Sequence, residues 1–164
     1  MAQEVKVIDK GWNAIKKNLA GLKVGKVASV GVQGPEASQS HGELTNATLY
    51  SYHEFGDMAG TGHPPERSSL RSTMADKESE YQKELQKIGK GAFEGGTVEG
   101  NLLLLGEKYR ADVINKIKEG IPPALKDETI EQKRGETTPL ITTGQLINAL
   151  SAIVKNASDV ERSE

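Results

Sequence analysis

The chain has 164 residues, 35% of them apolar and only seven aromatic, with 18 glycines, no cysteine and a net charge of −2. That length holds one domain with a core, and the missing cysteines exclude disulfides, thiolate metal sites and cysteine nucleophiles. No apolar run approaches the roughly 20 residues that span a bilayer, and a negative balance argues against a general nucleic-acid binder.

The start, MAQEVKVIDKGW, lacks the apolar segment of a signal peptide, which predicts a protein made and kept in a cytoplasm. Residues 1–30 carry Lys6, Lys10, Lys16, Lys17, Lys23 and Lys26 against Glu4 and Asp9, a net +4, leaving −6 for the rest. A solvated helix face accounts for this, as does complementarity between neighbouring copies. Val5, Ile8, Trp12, Ile15 and Leu19 recur at helical steps and predict an amphipathic helix over 4–20. The valines of KVASVGVQG (Val27, Val30, Val32) predict a short strand ended by Gly34-Pro35. Residues 33–46 read as a polar loop. In NATLYSYHEFG, Leu49, Tyr52 and Phe55 predict one or two helical turns stopped by Gly56.

Residues 57–66, DMAGTGHPPE, form a glycine- and proline-bearing loop. A helix is predicted from about 69 to 90 with Met74, Tyr81, Leu85 and Ile88 turned inward. A second covers roughly 97–119, with Leu102, Leu105, Tyr109, Val113 and Ile117 on one stripe. Residues 125–134 suit a helical turn or two, QLINAL a short helix and SAIVKN a strand. The reading is a single domain over 1–156 and a frayed tail over 157–164. The modest core fits a fold that partner subunits complete.

Every catalytic pattern lacks a component. HEFG has no second histidine one helical turn on, so it is not the His-Glu-x-x-His zinc helix. His41, His53, His63 and Glu54 supply ligand types without ligand spacing. GVQG, GTG and GKGAFEGG match neither the P-loop nor the dinucleotide turn, and no nucleophile elbow is present. His53 and Glu54 are therefore expected to be polar anchors for a loop or a neighbouring subunit, and no catalytic, cofactor or metal residue is assigned.

Two stretches read as devices that hold chain direction. In HPPERSSLR, Pro64 and Pro65 enforce an extended approach, Ser68 or Ser69 can cap the next helix, and Arg67 suits a salt bridge that fastens the loop. In PLITTGQL, Pro139 enforces extension, Leu140 and Ile141 can anchor in a core, Thr142 or Thr143 can cap, and Gly144 permits an unusual dihedral.

The order of these motifs resembles the tail-completion and neck proteins of tailed bacteriophages and prophages, the group that includes tail terminators and virion morphogenesis proteins. There a strand leads to His-Glu-Phe-Gly (His53, Glu54, Phe55, Gly56) and to a Pro-x-Arg helix start (Pro64, Pro65, Arg67). A Thr-x-x-x-Lys segment (Thr129, Lys133) then runs into Pro139, Leu140, Ile141, Thr143, Gly144 and Leu146. The resemblance covers roughly 27–155. Thr142 stands where an Asp is common, and Ser68-Ser69 replace a frequent Pro-Phe.

The resemblance implies an α+β fold, a small, largely antiparallel sheet flanked by two long helices and an N-terminal helix, with long loops. It also implies a structural virion protein, not an enzyme. Copies would form a ring, often a hexamer, at the head-proximal end of the tail. Its partners would be the tail-tube protein and head-side connectors, with genomic DNA passing through the lumen unbound and no membrane involved. The loops at 33–46 and 57–66 are the candidate contacts between subunits or rings. The alternatives are a head-side connector or stopper ring, a small metal-dependent hydrolase using His53 and Glu54, and a host-encoded adaptor without a virion role.

Overall fold

A computed structural model describes residues 11, 13–14, 16–18, 25–56, 64–133, 135, 137–138, 140 and 144–160, with His41 by its backbone only. The fold is α+β, as expected, with two long helices and a small antiparallel sheet. An N-terminal helix, α1, is helical at 13–14 and 16–18. The predicted helix over 4–20 is not continuous, because Gly11 has φ +94°, a left-handed value that no helix accommodates. Trp12, Ile15, Leu19 and everything before Gly11 lie outside the described residues.

Strand β1 (Lys26–Val32) pairs antiparallel with β4 (Leu150–Asn156), in a register that sets Lys26 opposite Asn156 and Val32 opposite Leu150. Residues 33–46 are more ordered than a polar loop. They contain a 3-10 turn (Gly34–Ser38) and a small ladder between β2 (Ser40–His41) and β3 (Leu44–Thr45). The buried Asn46 fastens them, donating to Glu36 O at 2.9 Å and accepting from the Gln145 side chain at 3.1 Å.

NATLYSYHEF forms a full ten-residue helix, α2 (Asn46–Phe55). It starts because the Thr45 hydroxyl accepts from Thr48 N at 3.2 Å. The long helices are α3 (Leu70–Phe93) and α4 (Val98–Glu119). Cross-links Asp76–Lys116, Lys77–Asp112 and Glu80–Lys108 descend one helix as they climb the other, which fixes an antiparallel hairpin. Short helices α5 (Asp127–Gln132) and α6 (Gln145–Asn148) follow. The expected frayed end instead makes one more turn, α7 (Ala157–Val160), started by Ala157 N donating to Gly25 O at 2.8 Å. Residues 161–164 lie outside the described set.

Helix α4 is the centre of the molecule. One side packs on α3 and the other on both strands of the sheet. Gly106 permits the close helix–sheet approach, since a Cβ there would meet Ala152 Cβ at 3.2 Å and Ala28 Cβ at 3.6 Å. The core collects Tyr50, Val113, Ile117, Ile121, Leu146 and Leu150, with Leu49 and Tyr109 packed against it. On α3 the inward residues are Thr73, Tyr81 and Ala92. Met74 and Leu85, expected inside, are 43% and 48% exposed. The reason is geometric: beyond its first turn α3 packs chiefly on α4, so the remainder of its apolar face has little cover among the described residues.

Candidate functional site

HEFG and HPPERSSLR meet at the junction of α2 and α3. Glu54 is buried at the C-terminal end of α2, and its carboxylate reaches the first turn of α3. It accepts from Ser69 N at 2.8 Å, Leu70 N at 3.0 Å, Arg71 N at 2.9 Å and Ser68 Oγ at 2.6 Å. These amides are the orphan donors of a helix N-terminus, where the macrodipole also favours a negative charge. The expected serine cap is therefore corrected: Ser69 makes no side-chain cap bond, and Glu54 caps α3 from another helix.

Arg71 closes the junction. Its Nη2 donates to Glu54 O at 2.5 Å and to Glu66 Oε1 at 2.8 Å, and its guanidinium lies 4.8 Å from the centre of the Phe55 ring. The chain turns back at Gly56, whose φ is +73° and where a Cβ would sit 2.9 Å from Glu66 N. Arg67 N then donates to His53 O at 2.7 Å. Around this polar knot the tyrosines stay protonated. Burial pushes Tyr50 well above the ordinary tyrosine range, and its hydroxyl hydrogen-bonds Ser69. Burial and then the Glu54 charge push Tyr109 up to about 12, while its hydroxyl donates to Leu70 O at 2.8 Å.

Beside the knot lies a cleft of about 500 Å³. His53, Pro64, Pro65, Arg67, Thr129, Lys133, Leu140, Gly144 and Leu146, scattered through the sequence, all line it. Arg67 is only 4% exposed. Among the described residues it makes no salt bridge of the expected kind: Nε donates to Pro123 O at 2.9 Å and Nη2 to Ala124 O at 3.4 Å. Lys133 donates to Thr138 O at 2.6 Å. Gly144 takes φ +77° at the start of α6, the unusual dihedral expected of it. His63, Pro139, Ile141, Thr142, Thr143 and most of the loop at 57–66 lie outside the described residues.

A second surface differs in kind. Helix α4 floors a channel of about 460 Å³ between β1 and α3, walled by Val27, Val30, Met74, Tyr81 and Leu85. Among the described residues β1 pairs only with β4, so its other edge presents backbone donors and acceptors beside this apolar channel.

Glu54 would have to abandon the α3 cap to act as a base or a metal ligand. Among the described residues no group of three or more His, Asp or Glu is placed to hold a metal ion. The role of Glu54 could have been suspected from one oddity, an acid at a helix C-terminus, where the dipole disfavours it and a tertiary partner is needed. The channel carried no such signal, because Met74 and Leu85 sit at regular core spacing. Comparison with protein-family models, with curated proteins and with solved structures finds no match to this chain.

Proposed function

We propose that this chain is a structural subunit that assembles with copies of itself into a ring, as in the neck of a tailed phage. There it would end tail-tube polymerisation and join tail to head within the virion. The observation that carries the reading is the edge of β1 that pairs with no other strand among the described residues, beside an apolar channel. A two-stranded sheet with one face on α4 leaves both backbone groups and side chains for a neighbouring copy to cover. The motifs that suggested the family support the reading in a second way. His53, Glu54, Gly56 and Arg67 brace backbone and hold two helices and a loop in register, which is work suited to a rigid assembly unit. The net charge of −2 agrees with a lumen that lets DNA slide.

Native mass spectrometry and negative-stain microscopy of the full chain, alone and mixed with tail tubes, test the proposal. A closed ring in either condition is expected, and a strict monomer in both would overturn it. Preference for tail tubes over filled heads separates a terminator from a head-side stopper. The hydrolase alternative makes a separate demand, stoichiometric zinc or manganese in purified protein, which elemental analysis reads directly.

A further inference from the structure

Arg67 poses an electrostatic problem that the brace reading leaves unsolved. A guanidinium that is 4% exposed ordinarily faces a carboxylate, because an uncompensated buried charge is costly. Here its partners are two carbonyls, Pro123 O and Ala124 O. Those bonds use the edge of the guanidinium formed by Nε and Nη2. Among the described residues the end-on edge, Nη1 with the second hydrogen of Nη2, has no partner, which leaves it for a planar bidentate acceptor. No Asp or Glu is among the described residues that line the cleft, whereas Lys126 and Lys133 stand in its wall.

The rest of the wall states what kind of anion fits. Leu49, Pro64, Leu125, Leu140 and Leu146 give the wall apolar surface in the same pocket as Arg67. A phosphate, doubly charged and strongly hydrated, would exchange its water for a wall that is apolar in good part. A carboxylate needs only one fork of donors and brings an apolar body that the leucines can cover. Desolvation holds the Arg67 pKa below the usual arginine value, the direction expected of a cation lacking its counter-ion.

We propose that the Arg67 cleft is a binding site for a carboxylate carried on an apolar body, either a small organic acid or the C-terminus of an apolar peptide. The acid docks on the end-on edge of the guanidinium and its aliphatic part lies against Leu49, Leu125 and Leu146. The site does not rest on the ring reading: it exists in the single subunit, and microscopy and ligand titration fail independently.

The test is a titration of the full chain with four probes: hexanoate, acetyl-Leu-Leu with a free C-terminus, the same peptide as its C-terminal amide, and inorganic phosphate. Calorimetry gives affinity, and the side-chain nitrogen resonances of Arg67 report the fork itself, which a purely structural arginine would leave unmoved. Both acids are expected to bind and to shift those resonances, and the amide and phosphate are not. The tighter of the two acids identifies the source, polypeptide or free acid. R67K keeps the charge but loses the fork, and should bind the acids about tenfold more weakly. Should R67K fail to fold, Leu125→Trp carries the test by filling the apolar wall, and it must weaken both acids alike. Binding of phosphate as tight as that of the acids overturns the assignment. So does equal binding of amide and acid, acid affinity unchanged in the variants, or no binding of either acid at millimolar concentration.

Discussion

The α2–α3 junction and the β1–α3 channel lie on the same long helix and solve opposite problems. At the junction, Glu54 and Arg71 satisfy backbone groups of α2 and α3 from side chains across the turn. At the channel, a strand edge lies open among the described residues, and Met74 and Leu85 are partly exposed beside it. The contrast separates a region that its own polar groups close from one whose strand edge and apolar wall are uncovered among the described residues, and which a neighbouring copy would cover if the proposed ring forms.

The contrast breaks most readily at Glu54. Glu54→Ala leaves the first-turn amides of α3 buried without an acceptor and should cost about 3 kcal/mol, the sum expected for a lost cap and lost charged hydrogen bonds. Urea denaturation reads this, and a cost below about 1 kcal/mol would mean that water replaces the carboxylate. Gly56→Ala comes next, at about 2 kcal/mol, because a left-handed residue gains a Cβ only 2.9 Å from Glu66 N. If Gly56→Ala is neutral, the turn has room that the geometry denies.

Smaller effects sharpen the comparison along the hairpin. Burial raises Asp112, but hydrogen bonds from Lys77 and Tyr81 outweigh it and hold its pKa below 3.8. A depressed acid contributes stability above its unfolded pKa and loses it as pH falls through the folded value. The wild type should therefore lose a further increment of stability below pH 3.8, and Asp112→Asn should flatten that part of the profile. An identical acid limb in both proteins removes Asp112 from the account. Smallest for the monomer is the channel itself: Met74→Gln with Leu85→Gln should change stability by no more than about 0.5 kcal/mol while reducing assembly. A double variant that still forms rings moves the interface elsewhere.

Much of the fold was legible because its signals are local. Periodic apolar residues located both long helices within a few residues at each end, and the valine run located β1. SAIVKN was read as a second strand, but the small antiparallel sheet was expected only from the family resemblance, and the pairing of the two strands came from the structure. HEFG as a pair of polar anchors and HPPERSSLR as a stretch that holds chain direction were also readable. Their partners were not. Ser69 had the right residue type and position to cap α3, but Glu54 is charged, reaches the same amides, and gains from the helix dipole. Arg67 invited a carboxylate, and two backbone carbonyls arrived first.

The sequence by itself thus determined the long helices and the two paired strands, because helical and strand periods are written in consecutive residues. It did not determine the 3-10 turn and the β2–β3 ladder within 33–46 or the last helical turn, which are too short to carry a period. Only the tertiary structure decided which face of α3 is covered, that Glu54 serves a helix other than its own, and that distant motifs share one cleft around a buried cation. Those facts depend on where α4 places its neighbours, a three-dimensional sum that no local pattern contains.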